Sequence, residues 1–520
     1  MKSSGSPTFI HELKLKTTPA DIKVLSRRLD IARQLYNACL GESLKRLCLM
    51  RQSKAYQTAL KLPKQTKNKK GKLIANKSRQ QLFKQAKEDY RFSEYAIHAY
   101  LTKIYSKTWL AQHLDSLTAQ KVATRAFKAA EAYAYGKKGK PRFKGKYRFS
   151  SIEGKNNKSG IRFVDGEIVW SSGRMKLSLK PQYDIKDKDG LEAYALSCRT
   201  KYVRLVQRQI KGNTAWYAQL VQEGLPYLKS KHKRSNGVVG LDIGPSSIAV
   251  VGETQADLQA FCPEVDDTRK KISVIQRKMS RSLRKNNPEN FERNCVVANK
   301  QNKKTLKLGK VKKGPRRWLK SNKYKRLQVE ASELQRKMAA TRKTAHGRLA
   351  NQVIGVGTTI KTEKLSYKSF QKNFGKSVGF RAPGLFVEIL RRKAESAGGK
   401  VVEFNTRTTA LSQTCHCGKK KKKLLKERWH QCDACGVVSQ RDLYSAFLAR
   451  FVENNRLDTS QAKAAWASAD ILLEQAVSSL NEAASSKVRL ASFGLGQSQS
   501  GLPVKKESIQ DKALDVVACA

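Results

Sequence analysis

Lysine and arginine number 105 against 42 aspartates and glutamates, a formal charge of +63 over 520 residues, and this excess limits what the chain can fold into. Like charges at that density oppose a compact state, so the fold must spread them over surface and loops where a polyanion neutralises them. Nucleic acid is the expected partner, bound tightly and with steep salt dependence. A membrane surface also attracts cations, but no run approaches the 18 or more apolar residues of a spanning helix, and the basic clusters alternate with Gly, Asn and Pro instead of lining an amphipathic face. The start, MKSSGSPTFIHELKLK, has no apolar stretch like a signal peptide, so a cytoplasmic, nucleoid-associated location is expected. Single cores stop growing at roughly 250 to 300 residues, so a multidomain α/β protein is expected.

Residues 8–15 alternate apolar and polar as a half-buried strand does, and from about residue 19 Leu25, Leu29, Ile31, Leu35 and Leu40 follow helical spacing. Helical character runs to about residue 133, interrupted at 63–80 by a Lys-rich stretch with Gly and Asn that predicts a loop. From 136 to 230 short strand-like runs separated by Gly, Asn and Asp predict a small β-barrel-like domain. At its edge, Lys140, Arg142, Lys144, Lys146 and Arg148 interleave with Phe143, Tyr147 and Phe149. Cations can follow phosphates while rings stack on bases. Alternatively, the rings are core and the charges are the outer side of an amphipathic strand. KHKRSNG at 231–237 reads as a linker, and 266–350 as a basic helical hairpin around VKKGPRRWLK. After about residue 455 the basic excess disappears, which predicts a tail of one helix and a disordered Ser- and Gly-rich remainder without chemistry.

Three acids stand in distinct settings. In VVGLDIGPSSIAVV, Val239, Leu241 and Ile243 fall on one strand face and Asp242 on the other, beside Gly240 and Gly244, which would let a metal and a phosphate approach. Glu363 ends the strand-like GTTIKTEKL, and Asp442 opens a helix in SQRDLYSAFLA. Each alone also fits an ordinary role, a strand-end acid or a helix cap and dipole partner. Together they suit Mg²⁺, which prefers oxygen ligands, and phosphodiester cleavage, in which two such ions activate water and steady the leaving oxygen. No Ser-His-Asp or Cys-His arrangement competes.

Of ten cysteines, Cys415, Cys417, Cys432 and Cys435 fall within 21 residues, and Gly418 and Gly436 follow the two pairs. Four thiolates suit tetrahedral Zn²⁺ and the glycines suit the turns of a zinc ribbon. The first pair is C-x-C, one residue short of the usual C-x-x-C, which leaves His416 or His430 as substitute ligands. The other six are scattered, so no disulfide framework is implied.

The ordered set of GLDIGPSSIAVV, TTIKTEKLS, GLFVEILRRKAESAGGKVVEFNTRTTALSQTCHCG, CDACG and RDLYSAF resembles TnpB, the OrfB-type protein of insertion sequences, and its relatives the compact type V CRISPR effectors. The resemblance implies an RNase H-like (RuvC) nuclease domain at 235–455 with the helical hairpin at 266–350, and a zinc ribbon inserted at 408–440. It further implies a β-rich wedge from 1–15 and 134–230, a helical recognition region at 16–133, and a tail at 456–520. By the same resemblance the chain would be a transposon-associated, RNA-guided DNA endonuclease with a guide RNA and a DNA target as partners. Asp242, Glu363 and Asp442 would hold two Mg²⁺ ions, the four cysteines one Zn²⁺, and Arg441 would lie near the scissile strand. Tyr444 and Ser445 stand where the family usually has Asn-Ala. A strand-transferring transposase or accessory DNA-binding protein, and a guided regulator that no longer cuts, are the alternatives, since RNase H folds host several chemistries.

Overall fold

The computed structural model describes residues 6–67, 73–106, 108–172, 175–184, 187, 189–229, 232, 234–298, 304–424, 427–484 and 493. They form two compact units, Met1–Lys229 and Ser230–Ala520.

In the first unit, helix Pro19–Gln52 begins at a capping box: the Asp21 amide donates to Thr18 Oγ1 while the Thr18 amide donates to the Asp21 carboxylate. Its apolar face, Leu25, Leu29, Ile31, Leu35 and Leu40, is buried in one core with helix Ser116–Ala134 and strand Thr200–Ile210. Helices also occupy Lys54–Lys61, Lys77–Asp89 and Glu94–Tyr105. The Lys-rich stretch expected to be a loop contains a small hairpin of Gln65–Lys67 and Leu73–Ala75, and its residues 68–72 lie outside the described ones. Thr8–Leu15 is an inner strand of a five-stranded sheet, between Asn213–Glu223 and Pro181–Gln182. Thr200–Ile210 and then Ser151–Glu153 complete that sheet beyond Asn213–Glu223. A separate three-stranded sheet joins Ile161–Val164, Glu167–Ser172 and Met175–Leu179. Where the sequence predicts a small β-barrel-like domain, the described residues form two separate sheets, the larger of which keeps two open edges.

The second unit is built on a mixed sheet of β1 (Val238–Ile243), β2 (Ser247–Val251), β3 (Ala256–Ala260), β4 (Thr359–Glu363) and β5 (Lys400–Phe404) in the order β3-β2-β1-β4-β5. The first three are antiparallel, whereas β1, β4 and β5 are parallel. Parallel neighbours need crossovers. These are supplied by α1 (Asp266–Lys285) with α2 (Asn322–Val356) between β3 and β4, and by α3 (Pro383–Ser396) between β4 and β5. Alternation sends Val239, Leu241, Ile243, Ile248 and Val250 into one core with Leu349, Val353 and Phe386, which lie on α2 and α3. Ala249, Val251 and Leu258 face the other way, against α4 (Arg441–Ala449) and α5 (Trp466–Ala484).

Two expectations change here. The 266–350 insert is not a plain helical hairpin, because the segment between α1 and α2 carries its own strands, Cys295–Ala298 and Lys304–Lys307. The stretch after 455 is not merely a tail: Ala469, Leu473 and Ala476 of α5 are buried against this sheet's core, whose small side chains let the helix pack closely. Beyond Ala484 that stretch, apart from Phe493, lies outside the described residues.

Candidate active site and metal centre

Leu241 of β1 stands opposite Thr362 of β4 in parallel register, so Asp242 and Glu363 follow at the same level of the sheet. Both are half-buried. On β1 the face opposite the α2 and α3 core is Gly240 and Asp242, and α4 crosses there. A Cβ on Gly240 would lie 1.8 Å from the Ala446 carbonyl oxygen and 3.1 Å from the Ala449 Cβ. Gly240 is thus required for helix packing, whereas at Gly244, in the β1–β2 turn, a Cβ would make only a tight contact, with Ser247 Oγ at 3.0 Å. Neither glycine opens space for a metal or phosphate, contrary to the sequence expectation.

This close crossing brings the first turn of α4 to the acidic face. Gln440 caps the helix, its side-chain oxygen accepting from the Leu443 amide at 2.8 Å. Asp442 is therefore relieved of the capping role and, though buried, faces Ser247 Oγ, which donates to its Oδ2 at 3.5 Å. Arg441 pairs with the other oxygen at 3.5 Å, and its guanidinium also donates to the Glu427 carbonyl at 2.6 Å and the Leu424 carbonyl at 3.4 Å. Arg441 is thereby held against Asp442 by the loop of the cysteine insert.

Burial pushes the Asp242 carboxyl well above its ordinary value, and the charges of Asp442 and Glu363 push it further, against Arg441. Burial raises Glu363 to about 7. Burial also raises Asp442, opposed by Arg441, Arg428 and the hydrogen bonds from Arg441 and Ser247. Three acids far apart in sequence thus share one low-dielectric site in which their full ionisation is resisted, the condition a divalent cation relieves. Cys415, Cys417, Cys432 and Cys435 form a separate group whose ligand atoms all lie within 4.8 Å of one another.

Cys415 Sγ lies 3.4 Å from Cys435 Sγ, and Cys417 Sγ 3.6 Å from Cys432 Sγ. Tetrahedral Zn–S bonds of about 2.3 Å imply sulfurs roughly 3.8 Å apart, so the four thiols fit one zinc ion. Each pair closes a turn with its glycine at positive φ: the Gly418 amide donates to the Cys415 carbonyl, and the Gly436 amide to the Cys432 carbonyl, each at 2.9 Å. The short first pair simply makes a turn one residue tighter. Neither histidine substitutes for a cysteine. His416 Nδ1 is 2.9 Å from the Tyr444 hydroxyl and its ring stacks on Trp466, while His430 stacks on Tyr444 with centroids 4.1 Å apart and its Nδ1 meets Lys423 Nζ.

Tyr444 has a role that sequence reasoning does not reveal. Its hydroxyl accepts from the His416 amide at 2.9 Å and lies 3.3 Å from Cys415 Sγ. Two residues from Asp442, it fastens the cysteine insert to α4. Its signal in the sequence is the departure from Asn after Arg441-Asp442-Leu443.

The interleaved basic and aromatic segment, in the first unit, is an irregular loop instead of a strand edge. Its middle is held to helix Pro19–Gln52 by a reciprocal amide pair: the Lys144 amide donates to Asn37 Oδ1 at 2.8 Å and Asn37 Nδ2 donates to the Lys144 carbonyl at 3.0 Å. Phe143 and Tyr147 are 59 % and 89 % exposed, whereas Phe149 is buried and packs on Tyr36. Lys140, Arg142, Lys146 and Arg148 are exposed, and Lys144 is half-buried. No helix among the described residues is long and apolar enough to cross a membrane.

No curated protein matches this sequence. Among solved structures, similarity was found to a cryo-EM structure of the Cas12f1-sgRNA-target DNA complex, at 13 % identity and a TM-score of 0.44 over 85 % of this chain and 98 % of that one. It was also found to a CRISPR-Cas12f ternary complex, at 14 % identity and 0.28 over 82 % and 81 % of the two chains. The mini-RNA-guided endonuclease CRISPR-Cas phi3 matches at 13 % identity and 0.28 over 57 % of each. Scores of this size carry no argument about the fold or activity of this chain. A family model described as the Cas12f1-like TNB domain matches residues 384–448, a span holding all four cysteines, Tyr444 and Asp442, and over that span the chain is similar to that domain.

Proposed function

We propose that this protein is an RNA-guided DNA endonuclease of the TnpB and compact type V kind, associated with a transposon and cutting with an RNase H-like, RuvC-type domain. The observation that carries the reading is the convergence of Asp242, Glu363 and Asp442, from two adjacent parallel strands and a crossing helix, into one electrostatically coupled site. A sheet with three antiparallel strands followed by two parallel ones supports the fold assignment, and the match over 384–448 supports the kinship.

In this reading Asp242, Glu363 and Asp442 hold two Mg²⁺ ions. The metals supply activation of water and stabilisation of the leaving oxygen. The chain's own residues set the site's geometry: Ser247 and Arg441 orient the Asp442 carboxylate, and Gln440 frees it from helix capping. Arg441 is poised beside the cut strand. Cys415, Cys417, Cys432 and Cys435 hold a structural Zn²⁺. The wedge (1–15 and 134–230) and recognition (16–133) regions contact nucleic acid, including through Lys140, Arg142, Phe143, Lys144, Lys146 and Arg148. The guide's base pairing reads the target sequence.

The test is cleavage of a matched target by the complex expressed with its native flanking sequence, which supplies the guide. Asp242→Ala is expected to retain guide and target binding and lose at least about a thousandfold in Mg²⁺-dependent cleavage. Intact cleavage by that variant would sink the assignment.

A further inference from the structure

Between α1 and α2 lies a strongly one-sided stretch: from Arg293 to Lys320 there are eleven lysines and arginines and no acid. Here the antiparallel strands Cys295–Ala298 and Lys304–Lys307 form a two-stranded ribbon on which every described side chain is exposed. Val296 and Leu306 face each other across the ladder, 64 % and 65 % exposed, on the face that also carries Lys304. Such a ribbon has no core of its own and is marginal in water.

Its base is nevertheless built firmly. Asn287, fully buried, donates to the Leu283 and Leu319 carbonyls at 2.8 and 2.9 Å and accepts from the Leu319 amide at 2.6 Å. Asn290 donates to the Arg317 carbonyl at 2.8 Å, and Arg284 lies over the Phe291 ring and donates to the Gly309 carbonyl at 2.9 Å. Gly309 is irreplaceable in this base, since a Cβ there would come within 1.8 Å of the Glu292 carbonyl oxygen. The structure thus fixes a cationic, apolar-faced ribbon, exposed at its described side chains, between two helices.

We propose that this ribbon enters the major groove of B-form duplex DNA. That groove, about 12 Å wide, admits a two-stranded ribbon, whereas the deep, narrow major groove of A-form RNA does not. Val296 and Leu306 meet base edges and thymine methyl groups, and Lys304, Lys307, Lys310 and Lys312, all exposed, meet the flanking phosphates. The inference stands apart from the nuclease reading, because groove binding uses none of the carboxylates.

The test is fluorescence anisotropy of the full chain with no Mg²⁺ added, on duplex DNA, single-stranded DNA and duplex RNA of equal length. The double variant Val296→Ser/Leu306→Ser is expected to bind duplex DNA at least fivefold more weakly and the other two probes within twofold of the parent. Replacing Lys304, Lys307, Lys310 and Lys312 by Ala is expected to lower the salt slope on duplex DNA by about 3 to 4, at roughly 0.9 for each phosphate left without its lysine. Duplex DNA is also expected to slow alkylation of the exposed Cys295. Equal losses on all three probes, no loss on duplex DNA, or unprotected Cys295 would each overturn the proposal. Cleavage is absent from these assays, so failure here and failure of the nuclease reading are separable.

Discussion

Asp442 depends on its neighbours for its availability. An acid in a first helical turn is usually a cap or dipole partner; here Gln440 takes the cap, and the carboxylate turns to Ser247 and Arg441. The electrostatics of the acids lead to a pH prediction. Glu363, raised to about 7 by burial, keeps its proton in the metal-free fold over a range where the unfolded chain, near 4.5, has lost it. Stability is therefore expected to fall as pH rises from about 4.5 to 7, by on the order of 1–3 kcal/mol. Glu363→Gln should flatten that slope in metal-free thermal melts, and Mg²⁺ should stabilise the parent more at pH 8 than at pH 5, because carboxylates bind metal deprotonated. A profile unchanged by the substitution would show that Glu363 is not the titrating group. Tyr444→Phe removes only the hydroxyl beside Cys415 and His416. We expect zinc affinity, read by competition with a chromogenic chelator, to fall by about 10- to 100-fold, as when outer-shell partners of metal ligands are removed, while the far-ultraviolet spectrum is preserved.

At the element scale, strands declare themselves by alternation and helices by apolar spacing, but the partner of each face does not. Gly240 illustrates this. Its position next to Asp242 suggests room for a ligand, yet the space is filled by the backbone of α4 at Ala446. Gly240→Ala is expected to destabilise the second unit by at least about 3 kcal/mol in urea titration, because the clash is with main chain that cannot rotate away. An effect below about 1 kcal/mol would mean that α4 does not cross where described. The insert between α1 and α2 resembles a helix in sequence because lysines and arginines suit helix surfaces. Its strands are short and their described side chains are all exposed, so they carry no inside–outside alternation to detect. The helix α5 resembles a tail because its buried residues are mostly alanines, a weak apolar signal that nonetheless permits close packing on the sheet.

Over the whole molecule, Met1–Lys229 and Ser230–Ala520 are separate compact units, and their buried apolar residues form distinct clusters within each. Unfolding is accordingly expected to depart from two-state behaviour, with calorimetric enthalpy exceeding the van't Hoff value. Zinc removal should lower only the transition of the second unit, whose core includes Cys415 and Cys432. A single transition that shifts as one with zinc would contradict this. The sequence by itself determined the charge and hence the polyanionic partner expected of it, the cysteine set, the identity of the three acids, and most strands and helices, because composition, ligand chemistry and local periodicity are written along the chain. The tertiary structure alone decided that Asp242, Glu363 and Asp442 meet, that Gly240 serves a helix crossing, that Phe149 is core while Phe143 and Tyr147 are exposed, and that Tyr444 binds the cysteine insert to α4. Those outcomes depend on which faces pack together across long separations in sequence, and local pattern does not encode that choice.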